Sequence, residues 1–150
     1  MATGTVSSYT VNVDGGARGN PGPAGWGAIV RDPSGETIAE LSGAIPYATN
    51  NVAEYQGLIS ALEWCLDHGA TQVQVRSDSL LLVQQMKGVY KVKNDALRAL
   101  HGQARLLAHR IGHVDYEHVR RAQNADADRL ANFAMDQIES PTSSVSDVRS

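Results

Sequence analysis

Alternation between apolar and polar positions predicts β-strands at two places in this 150-residue chain. In YTVNVD, residues 9–14, and in TQVQVRSD, residues 71–78, two valines stand two positions apart between polar residues. This period of two places the valines on one face of a strand and the polar side chains on the other. Three more strands are predicted, at residues 26–32, 36–45 and 113–119.

Apolar residues that recur every three or four positions predict helices between these strands. The longest such segment, residues 50–67, has Thr49 or Asn50 as its N-cap and Gly69 as its C-terminal stop. The dense Gly/Pro segment GGARGNPGPAG, residues 15–25, is predicted to be a turn. Further helices are predicted at residues 79–88, 96–111 and 124–138.

The predicted order of elements is therefore β-β-β-α-β-α-α-β-α. Short connections between the first three strands favour an antiparallel meander. Strands 1 and 4 are joined through a helix, which favours a parallel arrangement in one sheet. The fold class is α/β, with a mixed five-stranded sheet covered by helices.

One acidic side chain of the helix at residues 50–67 points toward the predicted apolar face. On a helical wheel, Glu54 lies within about 80° of Leu58, Leu62 and Cys65, whereas Glu63 lies on the opposite, polar side. A carboxylate that is directed toward the core needs a functional or structural partner.

Four acids are predicted to converge at one edge of the sheet. Asp14 and Asp78 end strands 1 and 4, and ligands of α/β sheets bind at the carboxyl ends of parallel strands. Glu54 and Asp128 each lie one turn into a helix, where they can point at the same place. Carboxylates in one site repel one another unless a cation lies among them, and all-oxygen sites suit Mg²⁺ or Mn²⁺.

Each acid also has a structural interpretation. Asp14 and Asp78, taken singly, are typical turn or cap residues, and Glu54 near a helix N-terminus is typical of an interaction with the helix dipole. Asp128 alone is typical of a solvated helix residue. Asp126 competes with Asp128 for the fourth place, but it lies off the apolar face of its helix, so Asp128 is favoured.

Composition narrows the class of protein. The length suits one domain, and 42% hydrophobic residues are ordinary for a globular chain. No apolar run approaches the roughly 20 residues of a membrane-spanning helix, and MATGTVSSYT does not resemble a secretory signal. Cys65 is the single cysteine, which excludes an internal disulfide and suggests a reducing compartment. We expect a cytoplasmic protein that does not enter membranes, with Cys65 in its core.

Charge and tail composition complete this picture. A net charge of −3 and a pI near 5.9 argue against a nucleic-acid binder that relies on a broad basic surface. They are compatible with an enzyme whose clustered acids bind metal. We predict a flexible N-terminus at residues 1–8, one domain at residues 9–139, and a disordered Ser-rich tail at residues 140–150.

Four segments, in this order and at this spacing, resemble type 1 ribonuclease H: VDGGARGNPGPAG, TNNVAEYQGL, RSDSLLLV and NADADRLAN. The resemblance extends from Tyr9 to Asp136. It implies the fold of that family, a mixed sheet in the order 3-2-1-4-5 with strand 2 antiparallel and helices on its faces. It identifies the catalytic, metal-binding acids as Asp14, Glu54, Asp78 and Asp128.

The resemblance implies a reaction as well as a fold. Members of the family hydrolyse the RNA strand of an RNA–DNA hybrid with two Mg²⁺ ions, roughly 4 Å apart, that bridge the scissile phosphate. The products carry 5′-phosphate and 3′-hydroxyl ends, and Mn²⁺ is expected to substitute for Mg²⁺. The acting unit is expected to be a monomer.

Three asparagines match family positions that read the minor groove of the hybrid: Asn20, Asn50 and Asn51. Neutral amides suit this role because the 2′-hydroxyl that distinguishes RNA from DNA both donates and accepts hydrogen bonds. Helix capping is the structural alternative for Asn50 and Asn51.

Other positions resemble contacts to the nucleic-acid backbone. Thr49 and Asn94 match a pocket that binds a phosphate of the DNA strand, although Thr49 also suits a helix cap. Gly15 and Gly16 open a glycine-rich segment whose backbone can approach a ligand closely. Arg18 is a further candidate for a phosphate contact.

The chain departs from the family in the segment between its second and third helices. Many bacterial members carry a basic, Trp-containing extension there, whereas this chain has only KGVYKVKND, with Lys87, Lys91 and Lys93. Affinity for the hybrid is therefore expected to be weaker and to depend strongly on salt. At least one of these lysines is expected to be merely solvated.

A second departure lies in the loop before the last acid. Many members have a mobile His there, but RRAQNAD contains none, and Arg120 or Arg121 is expected to substitute as an electrostatic group, with Arg121 as a candidate for a substrate contact. His118 is a poorer candidate because it lies in a predicted strand. A Gln that often follows the third acid by two residues is replaced by Leu80, so one groove contact is lost. These changes resemble the short, archaeal-like branch, some of which also cuts double-stranded RNA.

Two alternatives stay open at this point. The chain can be a non-catalytic module that binds the hybrid or double-stranded RNA, although four acids would then repel phosphates without benefit. It can also be a polynucleotidyl transferase or a DNA resolvase of a related fold, but the TNN segment and its 2′-hydroxyl contacts argue against DNA as the strand that is cut.

Overall fold

The elements follow one another in the predicted order in the computed structural model, which describes residues 7–139. A short 3₁₀ turn, Arg121–Asn124, precedes the last helix. The strands are β1 (Ser8–Ala17), β2 (Gly22–Arg31), β3 (Thr37–Ala48), β4 (Gln72–Ser77) and β5 (His113–His118). The helices are α1 (Asn50–Asp67), α2 (Leu80–Met86), α3 (Asp95–Ile111) and α4 (Ala125–Glu139).

The strands form one mixed sheet in the order β3-β2-β1-β4-β5, which confirms the predicted fold class. β2 is antiparallel to both of its neighbours, whereas β1, β4 and β5 are parallel. The last pair of the β1–β4 ladder joins Val13 to Ser77. Asp14 and Asp78, which come directly after these two residues in the chain, therefore lie at the same edge of the sheet.

Valines on one face of the sheet pack against α1. Val11 and Val75 are fully buried in one cluster with Leu58, Leu62 and Cys65. Burial of each large aliphatic side chain stabilises the fold by about 1.5–3 kcal/mol. Cys65 is thus a core residue, as predicted, and burial raises the pKa of its thiol to about 12.

The prediction of a turn throughout residues 15–25 is wrong. β1 continues to Ala17 and β2 begins at Gly22, so that only residues 18–21 connect the two strands. The glycines serve close packing: a Cβ on Gly15 would lie 2.5 Å from the backbone of α1, and one on Gly25 would lie 2.8 Å from the carbonyl oxygen of Ala131 in α4. Glycine is needed here because helices approach both faces of the sheet.

Helix α1 has the predicted bounds, and Thr49 is its N-cap, with its hydroxyl accepting a hydrogen bond from the backbone N–H of Val52 at 3.2 Å. β1 begins one residue earlier than predicted, at Ser8. The predicted tail and most of the predicted N-terminus, residues 140–150 and 1–6, lie outside the described residues, so the division into domains stays a prediction. None of the helices in the described part of the chain is long and apolar enough to cross a membrane.

Candidate active site at the edge of the sheet

A cleft of about 290 Å³ lies where β1 and β4 end. Its walls are formed by carboxylates, by the exposed guanidinium group of Arg121, and by the backbone of Gly15 and Gly16. The residues that line it are Asp14, Gly15, Gly16, Ala17, Asn50, Glu54, Asp78, Arg121 and Asp128. The structure therefore brings together all four acids that the sequence predicted to converge.

Each acid comes from a different element. Asp14 is in β1 opposite Gly27 of β2, and Asp78 follows the last residue of β4. Glu54 lies one turn into α1, so the apolar stripe that docks α1 on the sheet also carries Glu54 to the strand ends. Asp128 is in the first turn of α4, the helix that packs on β2 and β3.

Burial and like charge make the ionised acids unfavourable. Asp14 is only 8% exposed, and this desolvation, with the charge of Asp78 and a hydrogen bond to Asp128, raises its pKa to about 8. The backbone N–H of Gly15 lowers the pKa of Asp14, but by less. Desolvation also raises the pKa of Glu54 to about 7, against a hydrogen bond with Ser79 that lowers it. A cation among these carboxylates would remove the penalty for their ionisation.

The donor set suits a hard divalent cation. Four carboxylates supply oxygen ligands only, which are the ligands that Mg²⁺ and Mn²⁺ prefer. Within residues 7–139, however, no three acidic, His or Cys side chains converge closely enough to coordinate one ion as they stand. The chemistry of the donors, rather than a formed cage, therefore supports metal binding.

The structure separates Asp128 from its competitor. Asp126 is 60% exposed at its side chain and pairs with Arg31, with 3.3 Å between a guanidinium nitrogen and a carboxylate oxygen. Asp126 does not line the cleft, whereas Asp128 lines it and shares a hydrogen bond with Asp14. The choice made from the helical face therefore agrees with the geometry.

Four of the nine predicted substrate contacts line the cleft, namely Gly15, Gly16, Asn50 and Arg121. Arg121 lies 3.8 Å from Asp78, and its side chain is 87% exposed. Asn20 adjoins the cleft, because its side-chain oxygen accepts a hydrogen bond from the backbone N–H of Asn50 at 3.0 Å. Asn51 does not line the cleft.

The remaining candidates have structural partners. Thr49 caps α1, and Asn94 caps α3 by accepting a hydrogen bond from the backbone N–H of Leu97 at 3.0 Å. Arg18 forms a 2.8 Å ion pair with Asp136 on α4. A phosphate contact by any of these three residues stays a prediction.

Two buried amides near the acids were not predicted. Asn124 is 1% exposed, and its side-chain N–H donates to the backbone carbonyl of Val13 at 2.8 Å and to Asp78 at 3.4 Å. Asn12 is 5% exposed and donates to Asn124 at 3.0 Å. The sequence signal that was available for Asn12 was its position, two residues before Asp14 and on the same face of β1.

His118 was the poorer candidate to replace the mobile loop His of the family. Its ring nitrogen lies 3.3 Å from the backbone carbonyl of Asp78.

Comparison with protein families gives a match over most of the chain. The family model described as "Reverse transcriptase-like" matches residues 12–134. The bifunctional protein Rv2228c of Mycobacterium tuberculosis is 52% identical over 127 residues, which are 84% of this chain and 35% of that protein. Ribonuclease HI of Halobacterium salinarum is 41% identical over 133 residues, which are 89% of this chain and 65% of that protein. The chain thus spans about a third of the length of the mycobacterial relative.

Solved structures show the same fold. The N-terminal RNase H domain of the mycobacterial protein, fused to maltose binding protein, has a TM-score of 0.88 at 47% identity and covers 91% of this chain and 99% of that one. The structure of LC11-RNase H1 in complex with an RNA/DNA hybrid has a TM-score of 0.84 at 43% identity and covers 88% of this chain and 99% of that one.

Proposed function

Because the chain belongs to the ribonuclease H family, we propose that it cleaves the RNA strand of RNA–DNA hybrids as an endonuclease. The observation that carries the proposal is the cleft in which Asp14, Glu54, Asp78 and Asp128 meet. A pure binding module would gain nothing from four carboxylates that repel phosphate. The hybrid bound in the LC11-RNase H1 structure supports the class of substrate.

In this proposal the four acids hold divalent cations. When bound, two Mg²⁺ ions would generate the attacking water and stabilise the leaving 3′ oxygen, and Mn²⁺ would substitute. The protein supplies the frame: β1 and β4 fix the two aspartates, and the docked α1 and α4 bring the other two acids. The products would carry 5′-phosphate and 3′-hydroxyl ends.

The other walls of the cleft would position the nucleic acid. Gly15 and Gly16 leave backbone groups open to a sugar or phosphate, and Asn50 offers an amide for the 2′-hydroxyl. Arg121 is an exposed cation beside Asp78, so it can contact a phosphate oxygen as the strand enters or leaves. We propose a monomer as the acting unit.

The test is cleavage of labelled hybrid, double-stranded RNA and duplex DNA in parallel, with Mg²⁺, with Mn²⁺ and with EDTA. We expect cleavage of the RNA strand of the hybrid only, and only with metal. Binding of the hybrid without cleavage at every metal concentration would show a binding module instead. Cleavage of the all-DNA duplex would show a DNA-cutting enzyme, and cleavage of double-stranded RNA would show a broader ribonuclease.

A matched pair of variants tests the site. Asp14→Asn should abolish cleavage of the hybrid, whereas Asp126→Asn, which changes an exposed acid on the same face of the sheet, should leave cleavage unchanged. Equal loss in both variants would contradict the assignment of the cleft.

A further inference from the structure

A line of hydrogen-bonded side chains runs from the surface to the acidic cleft. A guanidinium N–H of Arg31 donates to the side-chain oxygen of Asn12 at 3.0 Å. The amide N–H of Asn12 donates to the side-chain oxygen of Asn124 at 3.0 Å, and the amide N–H of Asn124 donates to a carboxylate oxygen of Asp78 at 3.4 Å. We call these four residues the Arg31–Asp78 relay.

The direction of the relay is fixed at its outer end. A guanidinium can only donate hydrogen bonds, so the side-chain oxygen of Asn12 must face Arg31 and its N–H must face inward. The same reasoning orients Asn124, whose oxygen faces Asn12 and whose N–H faces Asp78. Hydrogen bonds in such a line polarise one another, so a donor is presented to the carboxylate of Asp78.

The relay reaches Asp78 just beyond the end of the hydrogen-bonded ladder between β1 and β4. The β1–β4 ladder ends at the pair Val13–Ser77, so no ladder hydrogen bond fixes Asp78 relative to Asp14. Asn124 spans this gap, because its amide donates both to the carbonyl of Val13 and to Asp78. One buried side chain therefore links Asp78 to the strand that carries Asp14.

We propose that Asn124, oriented by Asn12 and Arg31, is a positioning residue that fixes Asp78 beside Asp14 and thereby sets the affinity of the cleft for divalent cations. The proposal rests on the proposed function of the cleft as a metal-dependent nuclease site. Residues that orient metal ligands through hydrogen bonds typically change metal affinity by about 10- to 100-fold when they are replaced.

Arg31 offers the cleanest test because it touches none of the four acids of the cleft. Its side chain is 27% exposed at the far end of the relay, so Arg31→Met removes the outer donor without entering the cleft. Arg31→Lys keeps a group that only donates. Asp126→Asn removes the other partner of Arg31 and leaves the relay intact, so it serves as the control for the lost ion pair.

Titration calorimetry with Mn²⁺ on the free protein is the main readout, and the Mg²⁺ concentration for half-maximal cleavage of the hybrid is the second. We expect the Kd for Mn²⁺ to rise about 10-fold in Asn124→Ala and about 3-fold in Arg31→Met. Arg31→Lys should recover most of the loss, and Asp126→Asn should match the wild type. Gln85→Ala removes another buried amide, one that accepts from Tyr55 outside the cleft, and should lower stability without changing Kd.

An unchanged Kd in Arg31→Met and Asn124→Ala, with only the melting temperature lowered, would overturn the proposal and leave the relay a structural network. An equal rise in Kd in Asp126→Asn would also overturn it, because the ion pair would then be the cause. If Asn124→Ala does not fold, the three surface variants decide. Failure of the wild-type protein to cleave the hybrid would refute the proposed function, while the Mn²⁺ titrations would still report on the relay.

Discussion

At the scale of single residues, the carboxyl group of Asp14 loses water on folding, faces the charge of Asp78 and shares a hydrogen bond with Asp128. Without a cation, the ionised form of Asp14 therefore opposes folding. The same features that make Asp14 unfavourable in the metal-free protein favour metal binding.

Replacement of Asp14 should separate stability from activity. Asp14→Asn removes, at nearly constant volume, a carboxyl group that must either be protonated or bury its charge on folding, so we expect the metal-free protein to become more stable by about 0.5–2 kcal/mol. Cleavage of the hybrid should fall by at least about 100-fold, because the variant lacks one of the four carboxylates that are proposed to hold cations at the reacting phosphate. Urea unfolding in EDTA and a cleavage assay measure the two effects. A less stable Asp14→Asn protein would mean that Asp14 is mainly a structural residue.

The raised pKa of Asp14 also predicts how stability depends on pH. The pKa is about 8 in the folded protein against an ordinary value of 3.8, so between these values the folded state binds more protons than the unfolded state. Stability of the metal-free protein should therefore fall as the pH rises through this range. Melting temperatures in EDTA check this, and saturating Mg²⁺ or Asp14→Asn should flatten the dependence. A melting temperature that rises from pH 5 to pH 8 in EDTA would contradict the buried, protonated acid.

The sequence was sufficient to predict that the four acids converge, because two of them follow the alternating valines of strands 1 and 4 and the other two lie about one turn into a helix. It was not sufficient to predict Asn124. Nothing local distinguishes an Asn in the turn before α4 from a solvated one, and its partners Asn12 and Asp78 are distant in the sequence. Relays of this kind depend on tertiary contacts that periodicity does not report.

At the scale of elements, glycines decide how closely helices approach the sheet. Gly15 and Gly25 pack against the backbones of α1 and α4, the helices that carry Glu54 and Asp128. The sequence pattern predicted both helices but gave the glycines to a turn, because glycine in a turn and glycine beneath a helix look alike in sequence. The bounds of β1 and β2 were therefore not predictable from local sequence, because these glycines pack against helices that are distant in the chain.

An added methyl group should push α4 away from the sheet. Gly25→Ala places a Cβ 2.8 Å from the carbonyl oxygen of Ala131, so we expect a loss of about 1–3 kcal/mol in stability. Since α4 carries Asp128, the cleavage rate should fall as well. Gly102→Ala in α3 is the matched control: its Cβ meets nothing within 4 Å, and it should stabilise the protein by about 0.5–1 kcal/mol. Equal stability of the two variants would show that the sheet does not depend on this close approach.

At the scale of the whole molecule, positive charge is unevenly placed. The chain has a net charge of −3, yet its three lysines all lie within residues 87–93, in the connection between α2 and α3. Lys87, Lys91 and Lys93 are exposed, and Val89 and Tyr90 beside them are 62% and 43% exposed. This segment is a basic surface on an otherwise acidic protein, as a contact to a nucleic-acid backbone would require.

Loss of one of these lysines should weaken the hybrid complex without changing the chemistry. For Lys91→Ala we expect a higher KM for the hybrid, an unchanged kcat, and a salt dependence of binding whose slope is smaller by about 1. Arg110→Ala is the control. Arg110 lies just before β5 begins, and therefore near the N-terminal ends of the parallel strands, whereas Asp78 lies at their C-terminal ends. The same salt slope in both variants and in the wild type would show that Lys91 is only solvated.

Because Cys65 is buried, its reaction with a thiol reagent can report on opening of the hydrophobic core. The thiol is 0% exposed at the centre of the core, and its raised pKa keeps it protonated, so a thiol reagent should reach it only when α1 separates from the sheet. Because no other cysteine competes, the labelling rate in native buffer reports how often the core opens. Divalent cations that bind only the closed cleft should slow this labelling in proportion to their occupancy, which measures metal affinity without any substrate.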